Sequence, residues 1–132
     1  MQSLRKSAGS IAFIVLSTLA LSCHLATEQK DELVTGLRFE PEAFDSFTSS
    51  ASVRYTLARP AVSTLRICSK TKDGGFAPVT ILFESLRESK GSHAHTWLGD
   101  TEEGFFAPSG SYVGILDVEG ERFEAVVRVF HR

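Results

Sequence analysis

The chain has 132 residues, of which 42% are hydrophobic and 23% charged, enough for one modest domain. Ten Phe and many aliphatic residues are sufficient to drive collapse, so disorder is excluded as the main state. Two cysteines are too few for a disulfide scaffold, and 14 Lys and Arg against 16 Asp and Glu, a net charge of −2, argue against a nucleic-acid binder.

Residues 1–22 have the layout of a secretory leader. Arg5 and Lys6 precede an apolar and small-residue run from Ile11 to Ser22. That run is shorter than the ~20 residues a spanning helix needs. Its last residues, Leu19-Ala20-Leu21-Ser22-Cys23, resemble a bacterial lipobox. The resemblance implies cleavage before Cys23 and acylation of its thiol, giving a membrane partner through an N-terminal lipid. It departs from the commonest pattern at Ala20 and Leu21. The alternatives are ordinary cleavage, giving a soluble secreted protein, and an uncleaved anchor. His24, rather than Asp, after the cysteine implies the outer membrane by analogy with lipoprotein sorting. Loss of Arg5 and Lys6, two positive charges, takes the net charge from −2 to −4. Residues 23–32 then read as the lipidated cysteine and a polar tether, and 33–132 as the folded domain.

Within that domain apolar residues alternate with polar ones at period two. Val53, Tyr55 and Leu57 alternate with Ser52, Arg54 and Thr56. After a turn over Ala58-Arg59-Pro60-Ala61, Ser63, Leu65 and Ile67 alternate with Thr64, Arg66 and Cys68. Asp73-Gly74-Gly75 is a second turn signal. A two-residue turn at Glu119-Gly120 sets the last hairpin, with Leu116 facing Phe123, Asp117 facing Arg122, Gly114 facing Ala125 and Tyr112 facing Val127. The segment from Val79 to Leu86 is ambiguous. Val79, Leu82, Phe83 and Leu86 recur at helical spacing after Pro78, yet residues 79–83 have a strand's composition.

Gly91-Ser92-His93, Trp97-Leu98-Gly99-Asp100, Gly104 and Pro108-Ser109-Gly110-Ser111-Tyr112 together resemble the end of the Ig-like domain family first defined in the flagellar hook-capping protein FlgD. The upstream stretch Ser52–Ala61 fits more loosely, and the likeness runs from about Phe39 to Val129. It departs at Leu98, where the family usually has Asp or Asn, and at Phe105 and Phe106. The resemblance implies an all-β, Ig-like/fibronectin type III-like, two-sheet antiparallel sandwich of about seven strands, and it favours strand for Val79–Leu86.

Each matched residue has a structural reason. Pro108 suits the second position of a turn closed by Gly110. Tyr112 resembles the tyrosine corner of such sandwiches, Trp97 is large enough to plug the space between sheets, and Gly99 and Gly104 permit tight reversals.

Chemistry has fewer handles. His93 and His95, two apart on a strand, share a face with Trp97, and with Asp100 or Glu102 they are weak candidates for a metal site. Asp100, Glu102 and Glu103, with Asp117 and Glu119 as neighbours, lack the alternating spacing of a calcium loop. No Gly-x-Ser-x-Gly elbow or His-Glu-x-x-His helix occurs. Cys68 points to the side of Arg66, as an exposed or half-buried thiol. No catalytic residue and no cofactor is expected. Phe105-Phe106 on a loop is the candidate contact: one ring is expected to cap the sandwich and the other to face water, the rival being a loop that folds back and covers both with Phe76. The expectation is a non-enzymatic, lipid-anchored envelope protein with a protein-binding or assembly module. The rivals are a metal-dependent or carbohydrate-active domain using His93, His95 and the acidic loop, and a structural spacer.

Overall fold

The structure is a computed structural model that describes residues 32–132. The leader, Cys23 and all of the tether before Glu32 lie outside the described residues. Eight strands follow in chain order: β1 (Val34–Glu40), β2 (Ala43–Asp45), β3 (Ala51–Leu57), β4 (Ala61–Lys70), β5 (Phe76–Glu88), β6 (Gly91–Trp97), β7 (Gly110–Val118) and β8 (Glu121–Phe130). They form a three-stranded sheet in the order β1-β3-β6 and a five-stranded sheet in the order β2-β8-β7-β4-β5. This is the all-β, Ig-like/fibronectin type III-like sandwich the sequence predicts, with two differences. The described residues form eight strands where about seven are predicted, and one pair, β2 with β8, is parallel. Both differences have one origin. β1 runs beside β3 as far as Glu40, where Pro41, lacking an N–H, ends the ladder. The chain then crosses to the other sheet in the same direction and pairs for three residues with β8.

The alternation seen in the sequence is the burial pattern. Val53, Tyr55 and Leu57 of β3, Ser63, Leu65 and Ile67 of β4, and Leu116 and Val118 of β7 close on one core with Phe39, Phe44 and Trp97. The last hairpin has the expected register throughout, including Leu116 opposite Phe123 and Tyr112 opposite Val127. Its turn has positive φ at both Glu119 and Gly120, the backbone twist that suits a two-residue hairpin. On the outer face Asp117 accepts hydrogen bonds from both Arg122, across the hairpin, and Arg66 on β4.

Residues 76–88 are strand, not helix. Helical spacing arises there because the β4–β5 ladder shifts register at three places, so the inward positions fall out of strict alternation. Cys68 is neither exposed nor half-buried. It lies in a small second cluster on the outer face of the large sheet with Val113, Ile115 and Phe76, and burial pushes its thiol pKa up.

Candidate functional site

The strand register defines two ends of the sandwich. Val34 pairs with Leu57 and Glu40 with Ser52, while Trp97 pairs with Ala51. The chain therefore enters the domain at one end, and the loop after Trp97 projects from the other, about 20 Å away at the rise of a seven-residue strand.

Trp97 is fully buried, and its indole N–H donates to the Asp100 carbonyl at 3.0 Å. Its ring meets Phe44 and Tyr112 edge-on at centroid distances of 5.8 and 5.5 Å. The Tyr112 hydroxyl donates to the Pro108 carbonyl, the backbone bond of a tyrosine corner. Pro108 itself is not in a hydrogen-bonded turn; the chain bends at Ser109 and enters β7 at Gly110.

Between these anchors the loop folds into a miniature hairpin. Asp100 bridges to Phe106, the Thr101 N–H donates to the Phe105 carbonyl, and the Gly104 N–H donates to the Thr101 carbonyl. Ala107, fully buried, ties the hairpin down through its N–H to the Gly99 carbonyl at 2.8 Å. Gly99 is required at the base. Its φ is +78°, and a Cβ there would sit 2.4 Å from Cβ of Ser46.

This hairpin settles the position of the two phenylalanines. Neither caps the core, because Ala107 occupies that place. Phe105 is 71% exposed and Phe106 55%. Two residues not named as contacts from the sequence join them. Phe47, 48% exposed, packs edge-on against Phe106 at 4.7 Å and stacks on His131 at 4.2 Å, and Leu98 is 59% exposed. A concavity of about 490 Å³ lies among Ser46, Phe47, Leu98, Asp100, Gly104 and Phe106. Phe47 was legible only as one Phe in a polar stretch, since its partner ring is 59 positions away along the chain. Leu98 carried a signal: it is the apolar residue where the resembled family has a polar one.

His93 and His95 do share the inward face of β6, but their nitrogens meet a carboxylate that no pattern along the chain singles out. His95 Nε2 lies 2.8 Å and His93 Nδ1 3.3 Å from Oε2 of the buried Glu88, and His93 Nε2 lies 2.7 Å from the Ser89 carbonyl. The Tyr55 hydroxyl donates to the other Glu88 oxygen. The set spans both sheets, with Tyr55 on β3, the histidines on β6 and Glu88 at the end of β5. The expected third ligands are engaged differently. Glu102 binds β5, its N–H on the Val79 carbonyl and its carboxylate on the Ile81 N–H, and Asp100 sits in the loop beyond Trp97, bridged to Phe106. Asp117 and Glu119, the neighbours considered for the acidic loop, pair with arginines. Among the described residues, no group of three or more His, Cys, Asp or Glu is arranged to hold a metal ion.

Both tyrosines of the chain are held neutral. Burial first, then the hydrogen bond to the Glu88 carboxylate, pushes the Tyr55 phenol far above its usual value, and burial raises Tyr112 as well. An unfolded tyrosine titrates near pH ~10. With the folded value above the unfolded one, this contribution to stability is complete below that pH and is lost as the pH rises further. Phenolate absorbance in an alkaline titration is therefore expected to grow in step with loss of the Trp97 near-ultraviolet dichroism. Phenolate appearing while that dichroism stays native would show that the rings are open to solvent.

No protein-family model, curated protein or solved structure matches this chain.

Proposed function

We propose that this chain is a non-enzymatic, lipid-anchored envelope protein whose sandwich, a FlgD-type Ig-like domain, binds another envelope protein through the aromatic end formed by Phe47, Leu98, Phe105 and Phe106. The observation that carries this reading is the pair of exposed adjacent phenylalanines on a hairpin fixed by Trp97, Gly99 and Ala107. Exposed rings on a braced loop offer contact area at little ordering cost, and such aromatics are the usual anchors of protein interfaces. The chain enters the domain at the end opposite that hairpin. His24 after the cysteine favours the outer membrane.

The test is site-specific crosslinking in the intact envelope, comparing wild type with Phe105→Ser plus Phe106→Ser. Two anchors of this kind are worth about 2 kcal/mol or more together, so crosslinks are expected to fall at least roughly tenfold. The urea midpoint should stay put, because both rings are exposed. An unchanged crosslink pattern would leave the domain as a spacer. In the same cells a fatty-acid label should be lost in Cys23→Ala; retained label would sink the anchor.

A further inference from the structure

A sandwich of two open sheets has four edge strands, here β1 and β6 on one sheet and β2 and β5 on the other. An unguarded edge is a template for another strand, so proteins blunt their edges with short strands, bulges, prolines and charge. Three edges of this domain are blunted. β2 has only three residues. β1 is broken by a bulge between Thr35 and Arg38, and its Arg38 and Glu40 form an ion-pair cluster with Arg54. β5 carries Pro78, three register shifts and the left-handed Ser85, and Glu102 already takes its Val79 carbonyl and Ile81 N–H.

β6 has none of these guards. Its seven residues pair with β3 without a break, from Ala51 opposite Trp97 to Leu57 opposite Gly91. It contains no proline, lysine, arginine or carboxylate. The side chains on its outer face, Ser92, Ala94 and Thr96, are small and exposed. Among the described residues, no backbone group of residues 91–96 bonds to anything beyond the β3 ladder. A second, independent feature lies next to that edge, on the inner side. Phe83 packs on the His95 ring at 4.4 Å yet stays only partly buried, and Leu86, opposite the buried Ser63 in the β4–β5 ladder, is exposed.

We propose that β6 accepts an extended, uncharged segment of a partner protein as the fourth strand of the small sheet. Main-chain hydrogen bonds would hold the segment. Alternate side chains set its chemistry: apolar ones inward over Phe83 and Leu86, small polar ones outward beside Ser92, Ala94 and Thr96. A second copy of this chain does not fit that description. Its own β6 turns Gly91, His93, His95 and Trp97 inward, and the two histidines are already bound to its Glu88, so it brings no apolar cover. The inference goes beyond the aromatic end and needs only the sandwich, so either reading stands if the other fails.

The test is amide hydrogen exchange by NMR on the full chain in detergent micelles. The probe is an acetylated, amidated heptapeptide of alternating threonine and valine at millimolar concentration. Alternate amides within Gly91–Trp97 are expected to slow about tenfold or more, with β5 unchanged. The same peptide N-methylated at alternate residues, which cannot complete the ladder, should have no effect. Unchanged exchange in β6, equal protection by the N-methylated peptide, or protection that falls on β5 instead would each overturn the proposal. So would a dimer whose β6 amides are already slow without peptide, which would make a second copy the occupant.

Discussion

Trp97→Ala is expected to remove about 3–5 kcal/mol of stability, the range for deleting a large buried aromatic side chain. The indole is fully buried between the sheets, so the deletion leaves a cavity bounded by Phe44 and Tyr112, whose rings lose their edge-on partner. It also strands the Asp100 carbonyl that accepts the indole N–H. Small domains have about 5–15 kcal/mol in total, so the variant should sit near its unfolding threshold, with a Tm lower by roughly 15–30 °C. Trp97→Phe keeps much of the volume and should lose less than half as much. Thermal and urea unfolding followed by far-ultraviolet dichroism read both. A loss below about 1 kcal/mol in Trp97→Ala would mean that the sheets do not depend on this ring.

The second large effect is at the base of the aromatic hairpin. Gly99→Ala combines a left-handed backbone, which costs an L-residue about 1–2 kcal/mol, with a steric clash. The new Cβ would fall 2.4 Å from Cβ of Ser46 and about as close as the ring of Phe44 allows, at 3.1 Å. Neither neighbour can swing aside, because Ser46 and Phe44 are themselves buried. A total of about 2–4 kcal/mol follows when overpacking is added. Gly104→Ala supplies the internal control. Its φ is +90°, so the backbone cost is similar, but nothing lies within 4 Å of its Cβ position. The difference between the two urea midpoints isolates the close approach to Ser46. Equal losses at both positions would refute it.

The residues that were legible in the sequence are those whose burial follows from local alternation. The last hairpin could be registered from its turn alone, because nine consecutive pairs follow without a slip. Tyr112 and Trp97 could be given roles because each needs only a backbone partner a few residues away. Legibility fails where pairing is irregular or distant. Glu88 closes a strand with three register shifts, so no parity rule assigned its side chain to the interior, and its partners come from two other strands. His93 and His95 were placed on the right face, but a pair of inward histidines looks the same in sequence whether it awaits a metal or a carboxylate. Phe47 sits beyond a three-residue strand too short to show any period. The parallel pairing of that strand was hidden as well, since a proline marks where a ladder stops and not where the chain goes next.

Cys68 is the one free thiol among the described residues, and it is sealed beneath Phe76 at the junction of β4 and β5. Alkylating reagents need a thiolate that solvent can reach, and burial denies both. Its reaction rate in native buffer is therefore a clock for how often that corner breathes. The corner adjoins the most irregular ladder in the domain, so the clock reports on the seam where fraying would start, well ahead of global melting.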